Sequence, residues 1–145
     1  MTEELAYGDV ALRRSVSGLA LFSDLDPDRI EAVLPLLQEV TYGEGEWVIR
    51  HGRSGVGLYV IVDGEVAVLI ADHELTTLSR GEFFGEISTL LGEETSADVI
   101  ARTPLRCLFV ESDEVHGFLL ANPPVMYRML QALARRIREK DEIRL

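Results

Sequence analysis

The 145-residue sequence predicts an α+β domain: an antiparallel β-sandwich or β-barrel with helices before and after it. Two observations carry this. From Val40 to Val110 the chain is a series of short β-rich runs separated by glycine, and on either side of that stretch the apolar residues recur at helical spacing. Val10 to Leu21 is weakly amphipathic and reads as a short helix. Asp26-Pro27 opens the first clear one: Asp26 is a cap, and proline suits the first helical position, where its missing N–H costs nothing. Ile30, Val33, Leu34 and Leu37 follow at three- and four-residue spacing until Pro35 ends the regular part. The strand candidates are Trp47-Val48-Ile49, Leu58 to Val62, Val66 to Ile70, Val99-Ile100-Ala101 and Leu105 to Val110, punctuated by Gly43, Gly45, Gly52, Gly55, Gly57, Gly64 and Gly81. Asp63-Gly64 between two such runs predicts a tight hairpin. Many short strands with regular turns imply a sandwich or barrel rather than a parallel sheet. Helix returns at Ser112, a candidate cap followed by Asp113-Glu114, and restarts at Asn122-Pro123.

Composition narrows the function classes. The formal net charge is −11, but it is uneven: residues 1–121 carry −14 and residues 122–145 carry +3. An acidic body repels nucleic acid. In the tail Arg135, Arg136, Arg138 and Lys140 interleave with Glu139, Asp141 and Glu142, the pattern of a solvated helix face. The longest uncharged apolar run, Val66 to Ala71, is far short of the roughly 20 residues that cross a bilayer, and the acidic start Thr2-Glu3-Glu4 has no signal-peptide pattern. No membrane contact is expected, and a cytoplasmic location is. The single cysteine, Cys107, lies in the apolar run Leu105 to Val110 and reads as a buried thiol.

The most informative stretch runs from Gly81 to Ala97, GEFFGEISTLLGEETSA. It resembles the phosphate-binding cassette of cyclic nucleotide-binding domains, the family of the catabolite activator protein and the regulatory subunit of protein kinase A. Further features are similar: Tyr42, Gly45-Glu46 and Val48-Ile49 to that family's first turn and strand, Gly52, Gly55, Leu58 to Ile61 and Gly64-Glu65-Val66 to its glycine-punctuated hairpin, and Phe22 and the long helix from Pro123 to its helical flanks. The resemblance implies a jelly-roll-like antiparallel β-barrel with N-terminal helices and a long C-terminal helix, in one domain over 1–145: helix and barrel core at about 22–110, C-terminal helices at 111–145. It also implies a cleft roofed by the cassette, in which Phe84, Gly85, Glu86, Ile87, Ser88, Thr95, Ser96 and Ala97 are the candidate ligand-binding residues. Gly85 lets backbone approach an anion, N–H groups at a helix start face phosphate oxygens, and Glu86 accepts from a sugar hydroxyl or from the cassette's own backbone.

One departure stands out. Where the family carries an Arg that grips the cyclic phosphate, nine residues after the Glu, this chain has Thr95. Between Glu82 and Asp98 there are five acids and no base. A phosphate–Arg contact contributes about 1.5–3 kcal/mol, so its loss costs one to two decades in affinity. Arg80, Arg102, Arg50 and Arg53 are the candidate substitutes. The family also often has an acid where Val56 stands.

Three functions compete: a ligand-sensing regulatory module, with cyclic nucleotide binding weak, atypical or lost; an interaction module without a small ligand; and an enzyme. Genuine cyclic AMP binding through a substitute Arg is a variant of the first. Against the third, His51, His73 and His116 lie in separate segments without a His-x-His pair, and no nucleophile elbow, Walker motif or Cys-x-x-Cys occurs. No metal or cofactor is expected beyond a possible cyclic nucleotide ligand. Met126, Leu130, Leu133 and Ile137 make an apolar stripe that predicts a homodimer or a protein partner, with a short seam because Lys140 and Arg144 follow. The chain stops at Leu145, which leaves no room for a DNA-binding domain. Ala121-Asn122-Pro123-Pro124 reads as a hinge.

Overall fold

The computed structural model describes residues 2–141, with side-chain surroundings for 10–139; the predicted end of the seam at Arg144 lies outside the described residues. The elements in order are α1 (Thr2–Ser17), a 3-10 turn (Ala20–Phe22), α2 (Pro27–Val33), a second 3-10 turn (Leu34–Leu36), β1 (Gln38–Tyr42), β2 (Trp47–Ile49), β3 (Leu58–Asp63), β4 (Val66–Ile70), β5 (His73–Leu78), β6 (Phe83–Phe84), α3 (Glu86–Leu91), β7 (Asp98–Ala101), β8 (Leu105–Val110), α4 (Ser112–Ala121) and α5 (Pro123–Asp141).

The strands form two antiparallel four-stranded sheets, ordered β1-β8-β3-β6 and β2-β7-β4-β5. Successive strands alternate between them in the manner of a jelly roll, and only β4 and β5 are consecutive in one sheet. The first sheet is covered on both faces, which is why β3 reads as an uninterrupted apolar run. One face carries Leu58, Val60, Val62, Phe83, Leu108 and Val110 against the helices. The other turns Tyr59, Ile61, Phe84 and Cys107 toward Ile49, Val66, Leu78 and Val99 of the second sheet. Burial in this inter-sheet layer pushes the Cys107 thiol up to about 12, so it is inert as a nucleophile.

Several local expectations hold. The Asp26 carboxylate accepts from Arg29 N at 2.9 Å, with Pro27 at the first helical position. The helix breaks at Asn122, whose Nδ2 donates to Phe118 O at 2.8 Å. Others are corrected. The N-terminal helix runs from Thr2 to Ser17, starting before Val10, where the sequence lacks the apolar spacing that marks the rest, and ending short of Leu21, which lies in a separate 3-10 turn. Asp63-Gly64 is not a hairpin: β3 and β4 belong to different sheets, and Gly64 is needed because a Cβ there would collide with the carbonyl oxygen of Pro104 as the chain crosses over. The real hairpin joins β4 to β5 through Ala71 and Asp72, both with positive φ (50° and 66°) and neither a glycine. Ser112 is the first residue of α4 rather than its cap, and the position before it, Glu111, makes no side-chain cap bond.

Candidate functional site

The cassette begins where β6 pairs with β3, Phe84 opposite Tyr59, with their rings stacked at 4.9 Å. Gly85 then turns the chain at φ 88°, and a Cβ at that position would strike the carbonyl oxygen of Gly57 on the strand side. Both facts require glycine. The helix that follows, α3, is only six residues long and ends at Gly92, also left-handed. Its inner start is buried through Glu86 and Ser88, whereas Ile87, Leu90 and Leu91 face solvent. Behind α3 a cleft of about 230 Å³ opens toward the Ser54-Gly55 turn and the start of α4, with Glu93 and Asp113 on its wall.

Thr95 is tied into the turn after β2. Its Oγ1 donates to Arg50 O at 2.6 Å and accepts from Arg53 N at 2.9 Å. Its N–H donates to Arg53 O at 2.7 Å, and its carbonyl accepts from Gly52 N at 2.9 Å. The side chain is 8% exposed. Three residues on, Asp98 reinforces the same junction by accepting from His51 N at 2.7 Å. Ser96 is exposed and Ala97 half-buried. The Ser88 hydroxyl is buried with no hydrogen-bond partner.

Glu86 is 4% exposed and is the cassette's central charge. Its partner comes from the far end of the chain. Arg136 on α5 donates from Nη1 to Glu86 Oε1 at 3.0 Å and from Nη2 to Phe83 O at 2.7 Å, with its guanidinium 4.5 Å from the centre of the Phe83 ring. Burial raises the Glu86 carboxyl above its ordinary value, and Arg136 and a backbone hydrogen bond oppose that rise. Glu86 is desolvated while the Arg136 side chain stays partly exposed, so separating the pair leaves the buried carboxylate uncompensated.

Arg136 lies in the run whose charge pattern predicts a solvated face, whereas the structure turns it onto the cassette, and the reason is helical phase. The face of α5 that enters the core carries Val125 and Met129, with Ala132 and Leu133 at its edge. Arg136 lies seven residues beyond Met129, on the same side. A cation at a core-facing position was the available signal. The predicted stripe is rotated from this face: Met126 and Leu133 pack against the core, while Leu130 and Ile137 are 58% and 54% exposed.

The four arginines considered as substitutes go elsewhere or stay outside. Arg50 stacks on Trp47 at 4.6 Å, Arg80 donates to Val62 O at 2.7 Å, and Arg102 pairs with Glu74. The Arg53 side chain is exposed, and its backbone serves Thr95. The predicted hinge is held from α2, where Arg29 donates to Ala121 O and, at 3.2 Å, to Asn122 Oδ1. A bidentate pair from Arg128 to Asp24, at 2.6 and 3.1 Å, fixes the first half of α5.

Residues 39–122 match the family model described as the cyclic nucleotide-binding domain. The chain belongs to the cyclic nucleotide-binding domain family. Among curated relatives, the human potassium/sodium hyperpolarization-activated cyclic nucleotide-gated channel 2 is 32% identical over 84% of this chain, which spans 14% of that protein. Among solved structures, the Thermus thermophilus catabolite activator protein matches at TM-score 0.73 and 29% identity, covering 83% of this chain and 59% of that one. Cyclic AMP-bound PfPKA-R matches at TM-score 0.78 and 19% identity, covering 96% and 49%. In this cyclic nucleotide-binding domain no helix among the described residues is long and apolar enough to cross a membrane, and no cluster of three or more potential metal ligands occurs among them.

Proposed function

We propose that this domain is a regulatory ligand-binding module, not an enzyme, in which the cassette reports its occupancy to α5 through the Glu86–Arg136 pair. That pair is the observation that carries the reading. Glu86 is the one buried carboxylate of the cassette and Arg136 lies near the end of α5, so one contact joins the cassette, whose Ser88 and Thr89 line the cleft, to the helix that leads away from it. A ligand hydroxyl donating to Glu86 competes with Arg136 for the same acceptor and thereby weakens the hold of the cassette on α5. The coupling equals the ligand's differential affinity for the two helix positions, typically about 1–3 kcal/mol. Cyclic nucleotide binding is weak, because Thr95 brings no charge and three of the four nearby arginines have partners elsewhere.

The exposed flank of α5, formed by Tyr127, Leu130 and Ile137, favours a second role for the same helix as a contact for another copy or a protein partner. Hydrogen exchange tests the regulatory reading: millimolar cyclic AMP, cyclic GMP, adenosine or guanosine, whichever binds, should change protection in Gly85 to Thr89 and also in Met126 to Ile137. Changes confined to the cassette would make α5 a fixed element.

A further inference from the structure

We infer that the cleft behind α3 is a site for a small polar organic cation, a compound bearing primary ammonium groups, held by Glu93, Asp113 and the Ser88 hydroxyl. The site is separate from the cassette carboxylate: neither Glu86 nor Thr95 lies on its lining, so it stands whether or not the regulatory reading does.

The lining decides the chemistry. Three segments meet at the cleft: the Ser54-Gly55 turn, α3 with the two residues that follow it, and the start of α4. Apart from two glycines they contribute four hydroxyls, from Ser54, Ser88, Thr89 and Ser112, and the carboxylates of Glu93 and Asp113. Among the described residues no Lys, Arg, His or large apolar side chain is part of that lining, and Arg53, next to Ser54 in sequence, lies off it. An anion there meets two like charges, and an apolar ring finds no surface to cover. The start of α4 does not reverse this, because Asp113 and Glu114 already place carboxylates in its first turn.

The hydroxyls point the same way. Thr89 Oγ1 gives its proton to Gly57 O at 3.2 Å, which leaves its lone pairs for an incoming donor. Ser88 is 6% exposed, and its Oγ is buried with no hydrogen-bond partner. The Glu93 N–H donates to Ser88 O at 3.0 Å, which ties the carboxylate-bearing residue to Ser88. A polar group buried without a partner costs free energy, and a donor delivered through the cleft recovers it. An ammonium group carries three donors and no acceptor, so it matches a wall of acceptors and makes charge-assisted bonds to the two carboxylates. A divalent metal ion fits less well. It takes roughly six or more oxygen ligands, whereas no cluster of three or more metal-ligating side chains occurs among the described residues. The formal net charge of −11 draws any cation toward the surface, but only a defined site depends on particular acids.

The test is calorimetric titration of the full chain with 1,4-diaminobutane and with 1,4-butanediol, its uncharged counterpart, each at 50 and 500 mM salt. The diamine should bind at one site per chain and more weakly at high salt, and the diol should not bind. Glu93→Gln and Asp113→Asn should each weaken the diamine at least fivefold, and Ser88→Ala at least threefold without lowering Tm, since the hydroxyl it removes has no partner in the protein. Glu94→Gln, which deletes an exposed acid beside the cleft but off its lining, should leave the affinity unchanged. Equal losses in Glu93→Gln and Glu94→Gln would mean diffuse attraction to an acidic surface and overturn the inference. So would the absence of diamine binding, a diol that binds as tightly as the diamine, or wild-type affinity in Ser88→Ala.

Discussion

Replacing Thr95 by valine tests whether the residue standing where the family has its arginine is a clasp. Valine keeps the branched shape and deletes only the hydroxyl, so the Arg50 carbonyl and the Arg53 N–H both lose their side-chain partner. A net hydrogen bond contributes about 0.5–1.5 kcal/mol, and a group left unpaired costs about 1–3 kcal/mol when water is excluded. Arg50 and Arg53 are exposed residues, so water recovers part of the loss, and a net destabilisation of about 1–2 kcal/mol follows. For a chain of this length that lowers Tm by roughly 3–8 °C. Scanning calorimetry and urea melts of wild type, Thr95→Val and Thr95→Ser measure it, with serine, which keeps the hydroxyl, falling by less than half as much. A valine variant as stable as wild type, or a serine variant as damaged as valine, would refute the clasp. The same argument sets the expectation for Thr95→Arg. It should strengthen residual cyclic AMP binding about tenfold, equivalent to about 1.4 kcal/mol, while losing at least as much stability as valine does.

Three further predictions follow from the packing. Burial holds the Glu86 carboxyl above its ordinary value, so the folded state binds a proton more tightly than the unfolded chain; this site's contribution to stability falls as pH rises from about 4.5 through the raised value and is flat beyond it. Glu86→Gln should remove that slope, so its Tm relative to wild type rises across the window, and a Tm difference that is constant with pH would contradict the burial argument. Cys107, fully buried and raised to about 12, should react with a thiol reagent at least 100-fold faster in 6 M guanidinium than in the native protein, and equal rates would mean that the inter-sheet layer opens readily. Leu130→Glu should lower the mass measured by light scattering without lowering Tm, since Leu130 is exposed; Leu133→Glu is the poorer probe because Leu133 packs against the core.

The sheet content was legible where apolar runs are long: β3 and β8 lie in the sheet covered on both faces, and β4 keeps an apolar run although Val68 and Leu69 are half-buried and Ile70 is exposed. Three strands were not. β1 (Gln38–Tyr42) has no fully buried residue and reads as the end of the helical segment before it. β5 has the burial of an edge, exposed from His73 to Thr77, and a polar sequence of that kind looks like a connection. β6 is two residues long and reads as part of the glycine-rich cassette. The false hairpin at Asp63-Gly64 and the missed one at Ala71-Asp72 share a cause. Glycine marked a crossing that demands space, while the turn itself was made by two residues without a turn signature. At the site, the cassette and its missing cation were readable from the resemblance of Gly81 to Ala97 to the family's cassette, but the meaning of Thr95 was not, because its four hydrogen bonds reach residues over 40 positions away. Arg136 was obscured by choosing a stripe one position out of phase with Val125 and Met129.

The central claim is that cassette occupancy and the position of α5 are linked through Glu86 and Arg136. The most direct measurement is the distance between spin labels at Gln131→Cys, on the outer face of α5, and Asp72→Cys, at the exposed β4–β5 turn; the native thiol at Cys107 is too buried to label. The distance distribution should shift when saturating guanosine or adenosine is added, and Arg136→Ala should show the shifted distribution already without a nucleoside. Identical distributions in wild type and Arg136→Ala, with and without the nucleoside, would contradict it.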